Sequence, residues 1–560
     1  MKLKLVLYAF AAIGLLSGVS VSAQSYAITN AKIVTVSGST IEKGTVVIRD
    51  GLIEAVGAEA KVPADAQVFD GTGLTVYPGF VDALTNLGLA APARPTTGGP
   101  GGGGGGQAAA AAAAAQASSS NSNYPAGFRP EYVTLDDVRS GEAQFEANRN
   151  AGFTTALSVG RERIFNGQSA LIDLAGDSVS EMTVKSPVAL HITFSTIPGQ
   201  YPGSLLGTFS ALRQIFNDAR RLDEMNKMYA ANPRGMKRPE ADKSLEALIP
   251  VLNRKVPVIF AANTENDITR ALDFAKEYNL KAIIAGGQDA DKFIDRLKSQ
   301  DIAVLLSLNF PKRTASASPD ADPESMDTLR FRANVPKVAG KLAAAGVRFA
   351  FQGGGATSTN DFFAAAVKST ENGLSKDAAV RAMTLSPAEI FGVADRTGSV
   401  ETGKIANLTV IKGDLFANQR TVTHVFVDGK PFQPKAPEPT TGRGPNGRGG
   451  QRPDVGGTLT AVNVGGTWTV NIQAPGQALV GTLTLTQQGN ALTGTLVTEL
   501  GTSPLRDGKI SGDSISFAGT VNVGGQAIDF TVNAKIIGNQ LSGTVDSSQG
   551  AIPITGTKNP

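Results

Sequence analysis

A chain of 560 residues with 18% charged residues and a formal net charge of +3 is longer than one hydrophobic core usually serves, so at least two folded units, and more naturally three, are expected. The near-neutral balance excludes a phosphate-tracking surface, and with it nucleic acid as a partner. The absence of cysteine excludes a disulfide, a thiolate metal ligand and a lipoprotein anchor. At the N-terminus, Lys2 and Lys4 precede an apolar run over 5–16 and the small residues of Val21-Ser22-Ala23. That pattern predicts a signal peptide over 1–23, cut after Ala23. A membrane-spanning helix needs about 20 apolar residues, and no later segment supplies them. The processed chain is therefore expected outside the cytoplasm without membrane insertion, in a Gram-negative periplasm or else secreted.

Residues 26–75 alternate in the manner of short strands, with Asp50-Gly51 as a hairpin turn, and predict a small β-sandwich. After Phe80 the pattern changes. Apolar strands are expected at 154–159, 256–262, 281–285, 302–308 and 347–351, with helical stretches at 205–229, 265–278, 289–298 and 334–345. Such alternation predicts a parallel α/β barrel. Thr264 is a natural N-cap for the helix at Glu265. A Gly/Ala/Ser tract over 96–123 has no apolar surface to bury and reads as a flexible insert at the barrel mouth. The Pro/Gly/Arg-rich segment 434–457 reads as a linker. No strand precedes its glycines and no helix follows them, so it is not a phosphate loop.

Residues 458–560 read as a separate all-β domain. Gly489-Asn490-Ala491-Leu492-Thr493-Gly494-Thr495 recurs as Gly538-Asn539-Gln540-Leu541-Ser542-Gly543-Thr544, with a looser copy at Gly508-Lys509-Ile510-Ser511-Gly512-Asp513. Each copy is a turn leading into an alternating strand, as in an antiparallel meander closed into a barrel or sandwich. Trp468, the only tryptophan, is expected to plug that core rather than present a ligand-stacking face.

Two segments carry a family resemblance. Gly71-Thr72-Gly73-Leu74-Thr75-Val76-Tyr77-Pro78-Gly79-Phe80-Val81-Asp82 and Thr397-Gly398-Ser399-Val400-Glu401-Thr402-Gly403-Lys404-Ile405-Ala406-Asn407-Leu408 resemble the entry and exit of the amidohydrolase superfamily, and most closely its secreted, imidazolonepropionase-related branch. Leu385-Ser386-Pro387-Ala388-Glu389-Ile390-Phe391-Gly392 is similar to that family's last helix, and Val425-Phe426-Val427-Asp428-Gly429-Lys430 to its returning strand. The resemblance implies an amidohydrolase-like (β/α)8 TIM barrel over 77–394 and a composite β-sandwich from 24–76 and 395–433. It also implies hydrolysis of non-peptide carbon-nitrogen bonds by water on zinc or another divalent metal.

Set against that pattern, the first two histidine ligands fall on Leu84 and Asn86, and a third on Ala261. A fourth would lie near Ala285-Gly286-Gly287, and the terminal aspartate falls where Gln352-Gly353-Gly354-Gly355 stands. No metal ligand of the family is kept, so no cofactor is expected. Of the two histidines, His191 alternates with apolar residues and reads as a strand histidine, and His424 belongs to the returning strands. Oxygen ligands for a hard ion remain as an alternative in Asp82, Asn86, Asn263 and Glu265. Glu265 and Asp267 are explained more simply as favourable charges in a helix's first turn. Ser169 follows Gly167-Gln168 without a nucleophile elbow and reads as a turn residue. Two functions follow. One is a pseudoenzyme that binds a small molecule or scaffolds a partner such as an active amidohydrolase relative. The other is a hydrolase of cyclic amides or amidines with an atypical site.

Overall fold

The computed structural model describes residues 25–90, 124, 127–141, 143–161, 164–196, 201–313, 324–354, 358–417, 420–434, 464–474, 477–488, 491–511, 514–523, 526–537, 539–547 and 550–559. The signal peptide, the Gly/Ala/Ser tract from 96 to 123 and all of the linker but its first residue lie outside them. The chain divides into two compact units, Met1–Glu438 and Pro439–Pro560. Among the described residues no helix is long and apolar enough to cross a membrane.

The first unit begins with β1 (Ser25–Ile33), β2 (Ile41–Arg49), β3 (Leu52–Gly57), β4 (Gln67–Asp70) and β5 (Leu74–Pro78). Asp50 and Gly51 both take positive φ in the β2–β3 hairpin, as a two-residue turn matched to strand twist requires. Then follow β6 (Phe80–Thr85), β7 (Phe153–Ser158), β8 (Phe165–Gln168), β9 (Ala170–Asp173), β10 (Thr183–Lys185), β11 (Leu190–Thr193), β12 (Val258–Ala262), β13 (Ala282–Gly286), β14 (Ala303–Ser307) and β15 (Phe349–Gln352). The chain returns through β16 (Leu408–Lys412), β17 (Thr421–Val427) and β18 (Lys430–Phe432). Both ends of the unit build one eight-stranded sheet in the order β18-β17-β16-β5-β1-β2-β3, with β4 beside β1. It folds over a shared core of Ile28, Val46, Ile48, Val76, Val410 and Phe426, and its far edge bonds back to the approach to β16 through Ile53 N–H to Lys404 O.

The middle strands form a ring rather than a regular (β/α)8 array. β11 to β15 are parallel in sequence order, β6 is parallel to β7, and the Gly354 N–H donates to Leu84 O at 2.9 Å to join β15 to β6. Between β7 and β11, however, stands the broken strand β8–β9, antiparallel to both neighbours. The reason is length. Residues 159–164 join β7 to β8, and a parallel crossover needs about a dozen residues or more. Side chains alternate around the ring. Val81, Ala83, Leu157, Leu171, Ala189, Ile259, Ile283, Ala285, Leu305 and Ala350 pack inside, while Phe153, Phe260, Ile284, Val304 and Phe351 face the helices.

Helices capped by side-chain oxygens cover that outer face. Ser204 caps Leu205–Ala231, whose Leu212, Ile215, Phe216 and Ala219 form the buried stripe, and Thr264 caps Glu265–Glu277. Segment 289–298 forms a short 3-10 turn before Ile294–Ser299. The helix expected at 334–345 begins earlier, at Met326, because Ser325 caps it and it runs on through Pro336. Its first turns are largely exposed, so apolar periodicity does not mark them.

Sheet and ring meet at a buried polar weld. Gly79, the single residue between β5 and β6, donates its N–H to Asn407 O at 2.7 Å. A Cβ on Gly79 would stand 2.1 Å from Thr154 Oγ1. Asn407 Nδ2 donates to Asp173 Oδ1 (2.8 Å) and Thr155 Oγ1 (3.2 Å), and its Oδ1 accepts from the Asp428 N–H (2.7 Å). Thr155 Oγ1 completes the set by donating to Asp173 at 2.8 Å.

The second unit is a single antiparallel sheet of β19 (Gly466–Ala474), β20 (Gln477–Gln488), β21 (Ala491–Thr498), β22 (Gly501–Pro504), β23 (Arg506–Ser511), β24 (Ser514–Val523), β25 (Gln526–Ile537), β26 (Gln540–Ser547) and β27 (Gly550–Lys558). Pairing of β20 with both β19 and β21 closes it into a barrel, which removes exposed edges. Trp468 is fully buried among Val470, Leu483, Phe517, Val532 and Ile554, and its Nε1 donates to Val464 O at 3.1 Å. The repeated glycines have a steric cause. A Cβ on Gly494 would lie 1.8 Å from Thr484 O, and one on Gly543 2.1 Å from Asn533 O.

Two outcomes are expected. Asn407→Ala strands the buried Asp173 carboxyl and the Asp428 N–H, and should lower unfolding free energy by about 2–4 kcal/mol in urea titration. Because Trp468 is the sole indole, its fluorescence reports the second unit alone. Fragment 458–560 should give the same emission maximum and unfolding midpoint as the intact chain; a red-shifted, non-cooperative fragment would contradict its independence.

Candidate functional site

The C-terminal strand ends of the ring form its mouth, where loops carry the variable chemistry of such scaffolds. Ala261 on β12 is exposed there, Leu84 on β6 is partly buried, and Ala285 on β13 and Leu305 on β14 close the floor. Gln352, two residues beyond the inward Ala350 on β15, is 4% exposed, and its Oε1 has no hydrogen-bond partner. The mouth floor is thus apolar with one neutral amide.

No hydrogen bond among the described residues joins any two of the four oxygen-bearing candidates. Asp82 is buried, and its Oδ1 accepts from the N–H groups of Gly353 (2.8 Å) and Leu84 (3.3 Å). Burial pushes its carboxyl up to about 7 against the lowering effect of those two donors. Asn86 Nδ2 donates to Val159 O at 2.7 Å, tying β6 to the end of β7. Asn263 pairs in both directions with Gln288, through Nδ2 to Oε1 (2.9 Å) and Oδ1 from the backbone N–H (3.2 Å). Gln288 Nε2 continues this amide chain to Asn309 O at 2.9 Å, so it stitches β12, β13 and β14 together. Glu265 lies on the first helical turn and holds Lys292 at 2.9 Å, and Thr264 Oγ1 donates to Asp267 at 2.7 Å. These acids sit as helix N-terminal charges do. Among the described residues, no three His, Asp or Glu side chains group closely enough to hold a metal ion.

The remaining sequence candidates are structural in their surroundings. His191 on β11 is 4% exposed, and its Nε2 has no partner. Burial drives its pKa down to about 3, so the ring is neutral. Ser169 is fully buried at the β8–β9 break and donates to Ala189 O. His424 lies on β17 with its ring 5.1 Å from Phe69. Sequence reasoning missed Asp173, whose carboxyl burial raises to about 7 despite donors from Thr155 and Asn407. It also missed Gln288 and Asp289. Their position just after Gly286-Gly287 at a strand end was the available signal.

Residues 260–432 match the amidohydrolase family. An amidohydrolase from Thermotoga maritima MSB8 is similar at 25% identity and a TM-score of 0.59, over 73% of this chain and 100% of that one. Further solved structures include a Xaa-Pro dipeptidase with bound methionine (16% identity, TM-score 0.42, 73% and 100% covered). Another is an adenosine deaminase from Xanthomonas campestris with bound zinc (16%, 0.41, 73% and 92%). No curated protein sequence matches. The chain therefore carries an amidohydrolase family domain on a fold shared with the Thermotoga enzyme.

Asp82 allows a signed prediction. A carboxyl whose pKa is raised in the folded state stabilises below its unfolded value near 4, and that contribution is lost as pH climbs to about 7. Asp82→Asn keeps an oxygen for both N–H donors and has no charge to bury. At about pH 8 it should be more stable than the parent by on the order of 1–4 kcal/mol, and at about pH 4.5 equal or weaker, in urea unfolding. Asp173 titrates in the same window in both proteins and cancels from the difference.

Proposed function

We propose that this protein is an exported amidohydrolase relative that no longer hydrolyses through a metal, and that its ring now binds a small neutral molecule or scaffolds a partner. One observation carries this reading: each candidate near the mouth is already held by a bond within the chain, Asp82 through Oδ1, Asn86 through Nδ2, Asn263 through both ends of its amide and Glu265 through Lys292. The residues present do not fit the family's divalent ion. Leu84 and Ala261 have no donor atom, and the Asp82 carboxylate faces the N–H groups of Gly353 and Leu84. Gln352 Oε1 and the neutral His191 Nε2 are both buried without a hydrogen-bond partner, and Gln352, at the end of β15, suits a neutral hydrogen-bond donor such as an amide or lactam N–H. The partner reading, with an active relative of the imidazolonepropionase-related branch as one partner, rests on exposed apolar side chains. Tyr201 and Leu206 (57% and 79% exposed) follow β11, and Met326 and Leu329 (61% and 42%) follow β14, on segments leaving the mouth.

A second reading, hydrolysis of cyclic amides or amidines at an atypical site, draws on Asp82 alone, whose carboxyl titrates near neutrality as a general base should. Purification without added metal separates the two. Elemental analysis should find far less than one zinc, iron or manganese per chain, added zinc should leave Tm unchanged, and an amide and lactam panel should show no turnover. Turnover that disappears in a folded Asp82→Ala variant would establish the hydrolase instead. The chain recovered from a periplasmic extract should begin at Gln24.

A further inference from the structure

A second concave surface lies at the other end of the ring. β9 runs against β7, so the turn that follows it emerges beside helix Ala143–Asn150, which leads into β7, and both meet β18 of the sheet. There a cavity of 540 Å³ is lined by Tyr26, Phe145, Arg149, Met182, Lys430 and Phe432. Its walls set these four aromatic or sulfur-containing side chains among glycine and alanine positions, and the two cations share the lining with the carboxylates of Glu146 and Asp177.

Arg149 is the informative residue. It is half-buried, its guanidinium lies 4.6 Å from the centre of the Phe432 ring, and its Nη1 donates to Leu174 O. A guanidinium has five N–H donors in a planar fork, and the hydrogen bond to Leu174 uses one. No carboxylate among the described residues stands within ion-pair distance of it; Glu146, one turn earlier, acts on it only through space. Burial accordingly pulls its pKa down. A part-buried cation with no ion-pair partner among the described residues is costly to maintain, and stacking on Phe432 both offsets some of that cost and fixes the plane of the fork. Lys430, on the same wall, is half-exposed and 3.9 Å from Glu181.

We infer that this cavity binds a small monoanionic carboxylate carrying an aryl or comparable apolar body. The carboxylate pairs with the Arg149 fork in the bidentate manner that geometry favours, and the apolar body packs against Phe145, Met182 and Tyr26. Glu146 and Asp177 also line the cavity, which disfavours a second negative charge and so separates a carboxylate from a phosphate ester. This inference is independent of the function proposed for the mouth.

Calorimetric titration of the full processed chain tests it, with phenylacetate as probe, phenylacetamide as the uncharged isostere, and acetate and inorganic phosphate as anions without an apolar body. Phenylacetate should bind at least about tenfold more tightly than any of the other three. Arg149→Gln should weaken it by about tenfold or more, the share of a charged hydrogen-bond pair. Lys430→Gln, at a half-exposed site, should weaken it only about two- to threefold. If Arg149→Gln fails to fold, Arg149→Lys, which keeps the charge and loses the fork, should still bind several-fold more weakly. Equal affinity of phenylacetate for the parent and these variants would overturn the inference. So would no detectable binding at millimolar concentration, or binding of phosphate as tight as that of phenylacetate.

Discussion

The structure of the first unit depends on the few buried hydrogen bonds made where the chain leaves its sheet and enters its ring. At Gly79 there is no room for a side chain beside Thr154, and the amide must find Asn407 O. Asn407 arrives from the other end of the domain, just before β16, and its side-chain amide is divided between Asp173 and Thr155 on the ring and the Asp428 N–H on the sheet. Two crossings of the chain between sheet and ring are therefore fixed by one amide. Every residue in the set except the exposed Asp428 is buried, so its polar groups must be satisfied or the whole junction is destabilised. Asp173 adds a second cost, because its carboxyl is held in a site that favours the protonated form.

This junction lies at the N-terminal end of the ring, away from the mouth. Barrel scaffolds separate stability at one end from chemistry at the other, so residues at the mouth can vary without disturbing this junction. None of the junction's hydrogen bonds involves Leu84, Asn86, Ala261 or Gln352. What holds the mouth together is a different set of contacts: the Asn263–Gln288–Asn309 amide chain, Asp82 on the Gly353 and Leu84 amides, and Asn86 on Val159. Side chains of this kind join neighbouring strand ends. Their polar atoms point along the rim and leave an apolar floor.

The same division decides what could be read in the residue order. The entry and exit segments were legible because they are the two halves of one junction, with Gly79 and Asn407 each held by strict local geometry. Strands β7 and β12 to β15 were legible because ring strands are apolar on both faces. The antiparallel stave β8–β9 was not, although the short 159–164 connection excludes a crossover once β7 and β8 are both placed. The helix from Met326 was read too short because its first turns bury little and Pro336 resembles a start. Asp82 was named as a site candidate for the sake of its oxygen. Its actual partners, two backbone amides, depend on β15 closing beside β6, which no local pattern reveals. The two full copies of the repeat in the terminal unit fall at the β20–β21 and β25–β26 hairpins, whereas the looser copy at Gly508 begins inside β23; the pattern did not show why the inner glycines recur: the carbonyls of Thr484 and Asn533 press against Gly494 and Gly543.

Charge accounting links the two ends of the ring. At the mouth, Glu265 and Asp289 share Lys292, His191 is neutral, and the Asp82 carboxyl is screened by two N–H dipoles. Little uncompensated charge remains there to polarise water or to draw in an ionic substrate. At the base, Arg149 is stacked, part-buried and without an ion-pair partner among the described residues. A cation left in that state raises the free energy of the unliganded protein, and an anion that pairs with it recovers the difference on binding. The imbalance therefore favours recognition at the base through charge, whereas the mouth, where the neutral Gln352 amide keeps an unpartnered oxygen, is suited to neutral molecules.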